Sequence, residues 1–194
     1  SRLGLRAAML TRVGDEHNGR FVRESLAAES VDVSQVHTDP KRLTALVFLG
    51  IRDRETFPLV FYRDRCADMA LCADDIDPAF IGSARVLLLS GTHLSAVRAA
   101  RAAGVRVALD IDYRPVLWGL TSPGLGEQRY IESDAVSRHL QTVLSLCDLI
   151  VGTEEEVHIA GGSPETHAAL RRIREISPAL IVMKRGPMGC VAYP

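Results

Sequence analysis

The sequence predicts an α/β fold, a mainly parallel sheet sandwiched in three αβα layers with a small β-hairpin set apart from it. Two observations carry this. From Ala84 onward short apolar runs alternate with amphipathic segments of helical period, the pattern of parallel strands joined by crossover helices. Before that, residues 43–63 hold two β-rich runs with no helix between them, the mark of an antiparallel hairpin.

Along the chain, Arg6–Leu10 reads as a short strand, and Glu16–Glu29 as a helix whose Phe21, Val22, Ser25, Leu26 and Glu29 recur at helical spacing. LTALVFLGI and FPLVFYR, separated by RDRET, form the expected hairpin, a flap standing off the main sheet. RVLLLS is continuously apolar, as in a strand buried on both faces. SAVRAARAAG is helical and ends at Gly104, a C′ glycine. VRVALDID is the next strand, with Asp110 and Asp112 both on it. SDAVSRHLQTVLSLC places Val136, Leu140, Val143, Leu144 and Cys147 on one helix face. DLIV is a strand, and GTEEEVHIAGG a short helix opened by a Thr153–Glu156 capping box. Ser163 and Pro164 then read as N-cap and N1 of a helix that turns Leu170, Ile173 and Ile176 inward. ALIVMK and CVAYP close the chain around an RGPMG turn.

Composition narrows the function. The 194 residues carry 23 Lys+Arg against 24 Asp+Glu, a net charge of −1, with 47% hydrophobic residues. That balance supports one good-sized core and argues against a nucleic-acid or anionic-membrane partner, which would call for a basic surplus. No apolar run approaches the ~18 residues of a membrane span, and the opening SRLGLRAAML lacks the apolar core of a signal peptide. A cytoplasmic protein is expected. Four scattered cysteines without a CxxC pair suggest buried thiols rather than disulfides or zinc.

Ligands of an open parallel sheet bind at the carboxyl ends of its strands. Four such ends carry the unusual polar residues: Ser90-Gly91-Thr92-His93; Asp110, Asp112 and Arg114; Gly152-Thr153-Glu154-Glu155-Glu156; and Lys184-Arg185-Gly186-Pro187-Met188-Gly189. The plain alternative is that any loop is polar. Asp110 and Asp112, two apart, would share a face and repel unless a cation such as Arg114 lies between them, or they merely finish a strand with a structural pair. Glu156 serves the capping box. Glu155 has no such duty and could orient Mg²⁺ through water. Glu154 and His158, one turn apart, make a weak metal pair without a third ligand. The two glycines of KRGPMG allow backbone N–H groups to approach a phosphate beside Lys184, though many hairpins also need two glycines. Tyr62 and Arg63 end the flap strand and RDR lies in its turn, which suits an anionic substrate as well as a charge-protected edge. Neither GxxxxGK[ST] nor a strand-following GxGxxG occurs.

TRVGDEHNGRFVRESL, the flap through CADMAL, DIDYRPVLWG, DLIVGTEEEVHIAGG and KRGPMGC together resemble the PfkB (ribokinase-like) carbohydrate kinase family, over nearly all 194 residues. DIDYRPVLW with FYR…CADMAL is similar to the branch acting on keto-sugar acids. The resemblance implies a single ribokinase-like domain over 1–194, incomplete at both ends, with the hairpin at about 43–63 as its lid. It also implies ATP- and Mg²⁺-dependent phosphorylation of a primary hydroxyl, with 5-dehydro-2-deoxygluconate of inositol catabolism the expected acceptor. 2-Keto-3-deoxygluconate, another sugar, or a non-catalytic sugar or nucleotide sensor are the alternatives. By position, Arg63, Tyr62, Arg114 and Asp112 would bind the acid, and Lys184, Gly186 and Gly189 would line the nucleotide. Glu155 would be the glutamate of the family's N-x-x-E motif acting on Mg²⁺, with Gly152 where its asparagine is expected. The lid can pair between subunits. The aspartate base is expected beyond Pro194, so this chain alone would have little activity.

Overall fold

Parallel pairing begins early. In the computed structural model, which describes residues 3–51, 53, 58–90, 96–122 and 130–194, strand β1 (Ala7–Gly14) lies parallel to β2 (Val31–Asp39). Helix α1 (His17–Ala28) connects them. β1 runs past the predicted Leu10 because Val13 is buried in the core with Val36. β2 escaped the sequence reading. α1 starts where its cap dictates: Glu16 accepts from the amides of Asn18 and Gly19, satisfying two of the helix's orphan donors. Phe21, one of the residues at helical spacing, is 69% exposed.

The hairpin is present. β3 (Leu46–Leu49) pairs antiparallel with β4 (Leu59–Tyr62), Leu46 opposite Tyr62. Its predicted turn at RDRET lies outside the described residues except Asp53. These elements belong to a first compact unit, Ser1–Ile76. Arg12 holds that unit's interior together, donating from Nε (2.8 Å) and Nη2 (2.6 Å) to Asp75, while buried Asp39 accepts the amides of Lys41 and Arg42.

The second unit, Asp77–Pro194, is built on a five-stranded sheet in the order β5-β6-β7-β8-β9. Its strands are β5 (Val86–Ser90), β6 (Arg106–Asp110), β7 (Leu149–Thr153), β8 (Leu180–Lys184) and β9 (Cys190–Tyr193), the first four parallel and the last antiparallel. After the short α2 (Pro78–Gly82), the crossovers are α3 (Ala96–Ala102), α4 (Asp134–Leu144), α5 (Glu154–Gly161) and α6 (Thr166–Ile176). One sheet face is buried along the register row Leu89–Leu109–Ile150–Ile181. The α4 face predicted from its spacing is the buried one, including Cys147.

Three expectations need correcting here. β5 is not buried on both faces: Leu89 is buried on one, while Val86 and Leu88 are exposed on the other, Leu88 at 70%. α6 begins at Thr166 with Glu165 before it. Ser163 instead accepts the Glu165 amide in a preceding turn, and Ile176 is only half-buried. Of the cysteines, all free, only Cys147 is fully buried; Cys72 and Cys190 are exposed. Burial pushes the Cys147 thiol up to about 12, an inert position.

Candidate functional site

Parallel pairing brings four carboxyl ends of strands to one edge of the second unit. Ser90 stands opposite Asp110 in register, and Thr153 opposite Lys184. Beyond β6 the chain does not continue as a strand. Asp112 adopts φ +41°, a left-handed conformation costly for a non-glycine residue and found where surroundings over-determine it. Asp110 and Asp112 therefore do not share a strand face, and they do not share one cation: Asp112 pairs with Arg114 and Asp110 with Lys184. Each has its own partner.

Asp112 is held from both sides. Its Oδ1 lies 2.8 Å from Arg114 Nη2, and its Oδ2 accepts from Ser90 Oγ at 3.1 Å. Between them Tyr113 is buried, its hydroxyl donating to the Ile131 carbonyl at 2.6 Å, and burial raises the phenol's pKa. Arg114 Nη1 donates to the Tyr113 carbonyl at 3.0 Å and to Glu156 Oε1 at 3.3 Å. Nη1 is thereby engaged by two acceptors and Nη2 by the Asp112 ion pair, while Nε has no partner among the described residues, on a side chain 32% exposed.

The residue that joins the site is Glu156. It is 4% exposed, yet its carboxylate meets Arg114 through Oε1, and through Oε2 the Thr153 amide (2.7 Å) and Lys184 Nζ (3.9 Å). The Thr153 amide bond, with the Glu156 amide donating to Thr153 Oγ1, closes the predicted capping box. Lys184 Nζ reaches Asp110 Oδ1 at 3.0 Å. Asp112, Arg114, Glu156, Lys184 and Asp110 thus form a rim of alternating charge across the ends of three strands. Gly152 lies against it: a Cβ there would stand 2.8 Å from Ile111 Cδ1 and 3.1 Å from Glu156 Cβ, so glycine is what lets Glu156 approach.

The remaining candidates sort plainly. Glu155 is exposed on the first turn of α5 and outside the rim; Glu156 occupies it. Glu154 and His158 meet at the Thr166 hydroxyl, which donates to Glu154 and contacts His158 Nε2, a link from α5 to α6. Gly186 and Gly189 take φ +54° and +81° in a turn over Gly186–Met188, and no atom lies within 4 Å of where either Cβ would be. That backbone is open to a phosphate beside Lys184. Among the described residues no three acidic, histidine or cysteine side chains could hold a metal directly. Mg²⁺, which keeps several waters and uses few carboxylates, fits this rim only with phosphate oxygens completing its shell.

Tyr62 and Arg63 belong to the first unit. Tyr62 is exposed and meets Phe48 edge-on at 5.5 Å. Arg63 Nε is bonded to the Asp68 carboxylate, a partner that sequence reasoning missed. Gly91, Thr92 and His93 lie outside the described residues.

Comparison with known proteins bears on this arrangement. The family model for pfkB family carbohydrate kinases matches residues 1–194. The 5-dehydro-2-deoxygluconokinase of Shouchella clausii is 30% identical over 206 residues, taking in 100% of this chain and 60% of that protein. Its namesake from Geobacillus kaustophilus is 31% identical, with 100% and 58% covered. The crystal structure of a PfkB protein from Polaromonas sp. JS666 superposes with a TM-score of 0.78 at 28% identity, over 98% of this chain and 64% of that one. A putative ribokinase II from E. coli, in complex with ATP and Mg²⁺, gives 0.81 at 21% identity over 99% and 60%, a likeness of fold. The chain spans about 60% of the length of the curated relatives it matches.

Proposed function

Starting from a chain that belongs to the pfkB family of carbohydrate kinases, we propose that the full-length protein phosphorylates a keto-deoxy sugar acid, 5-dehydro-2-deoxygluconate, from ATP. The observation that carries this reading is Arg114. Two carboxylates fix its guanidinium while N–H groups remain for a third, incoming one, and arginine grips a carboxylate with paired, charge-assisted bonds. Relatives named 5-dehydro-2-deoxygluconokinase support the choice of acid.

Phosphoryl transfer depends on positioning and charge stabilisation more than on covalent chemistry by the protein. Arg114 holds the acid end of the acceptor, with Asp112 and Glu156 fixing the direction of its fork. Lys184 and the open backbone at Gly186 and Gly189 face the phosphates of the donor. Glu156, not Glu155, takes the place of the motif glutamate, with Thr153 at the asparagine position; Gly152 then falls outside the motif, and its substitution is no departure. Glu156 would meet Mg²⁺ through water, and ATP with Mg²⁺ supplies the phosphoryl group and neutralises its charge. Tyr62 and Arg63 are proposed as the lid's contribution to the acid, in a cytoplasmic enzyme whose lid can pair between subunits.

The test is an acceptor panel on the full-length protein: 5-dehydro-2-deoxygluconate, 2-keto-3-deoxygluconate, and neutral sugars such as fructose, with ADP release measured. The keto-deoxy acids should be preferred by tenfold or more in kcat/KM, the scale of about one charged hydrogen bond. Equal or better turnover of neutral sugars would overturn the assignment.

A further inference from the structure

We propose that Asp110 is a positioning residue that aims the Lys184 ammonium at the transferring phosphoryl group. The inference rests on the kinase reading above and adds a residue to it. Only two of the 23 cationic side chains are lysines, Lys41 and Lys184; elsewhere the chain uses arginine. At the end of β8 it places instead a compact point charge on a flexible stem, which takes its direction from whatever holds it.

What holds it lies two strands away. β7 separates β8 from β6, and neighbouring strands are about 4.8 Å apart, so Lys184 must cross the end of β7 to reach Asp110. It does so, with Nζ 3.0 Å from Asp110 Oδ1 and 3.9 Å from Glu156 Oε2. The Glu156 distance is too long for a hydrogen bond. Without Asp110, nothing among the described residues would bond the ammonium in that place. With it, the charge is held across the end of β7, between the carboxylates of Asp110 and Glu156. Lys184 and Asp110 are each 41% exposed, so a phosphate oxygen can reach the remaining N–H groups. Asp110 does not itself touch substrate in this scheme; it acts through Lys184.

Two measurements test this. Amine-directed labelling of the full-length protein, read by mass spectrometry with Lys41 as internal reference, should show Lys184 reacting several-fold faster in Asp110→Asn than in the native protein. Unchanged Lys184-to-Lys41 ratios would overturn the contact. In the full-length protein with MgATP and the keto-deoxy acid, Asp110→Asn should lower kcat about tenfold or more while the acceptor KM stays within twofold. Asp110→Glu should recover part of the loss. A kcat within twofold of the native value would overturn the positioning role even if labelling changes. Absence of any acid phosphorylation by the native protein would instead sink the kinase reading, and the labelling ratio would still decide whether Asp110 directs Lys184.

Discussion

Gly152 and Glu156 are two halves of one packing problem. A methyl group at 152 would press on Ile111 and on the Glu156 side chain at once, so Gly152→Ala must push Glu156 off its bonds to Arg114 and the Thr153 amide or strain the β7 end. We expect a loss of about 1–3 kcal/mol in urea unfolding, the usual cost of overpacking, and a larger one for Gly152→Asn. A variant as stable as the native chain would contradict the close approach. Thr153-x-x-Glu156 was readable as a cap, because that contact is local. Its second use was hidden, because nothing in TEEE says that Arg114 and Lys184 arrive from other strands. Asp112 misled for a different reason: an i, i+2 argument assumes extended backbone, and the backbone turns left-handed there. Arg63 and Asp68 are five apart in a segment with no regular period, so their pairing left no pattern to find.

Elements were readable where hydrophobic period and caps agreed. α4 and the β8–β9 hairpin have both a clear pattern and clear ends. β2 was missed because VDVSQVHTD alternates weakly and carries polar residues at its end, including Asp39, which is buried by its hydrogen bonds rather than by apolarity. β5 was over-read: an apolar run shows a strand but not whether both of its faces are covered. In the first unit, α1 and β1 rest on two carboxylates with lowered pKa. Hydrogen bonds from Thr44, side chain then backbone, with the amides of Asn18 and Gly19, hold Glu16 at about 2. The Arg12 guanidinium, with the Cys72 amide, holds Asp75 at about 2. A depressed folded-state pKa stabilises above the unfolded value, near 4, and the contribution is lost as pH falls toward 2. Circular dichroism should therefore show this unit losing stability between pH 4 and 2. Glu16→Gln and Asp75→Asn should be less stable at pH 7 and flatter across that window; native-like slopes in both variants would contradict the assignment.

At the scale of the molecule, alternation of strand and helix was enough to predict the sheet and to say which strand ends gather the charged residues. Four strand ends were named from sequence: the rim unites charged residues at three of them, β6, β7 and β8, and Ser90 at the end of β5 bonds to Asp112. Strand order was what sequence withheld, and with it the alternation of charge, since Lys184 meets Asp110 only because β7 alone lies between their strands. The described helices include none long and apolar enough to cross a membrane. Arg114, locked by two acids yet still holding free N–H groups, is where the proposed acceptor specificity resides. Steady-state kinetics of Arg114→Ala in the full-length protein test that most directly, with the keto-deoxy acid and its uncharged alcohol analogue as acceptors. The predicted result is a drop of about ten- to a hundredfold in kcat/KM for the acid and little change for the analogue. An equal drop for both acceptors, or none for the acid, would contradict the account.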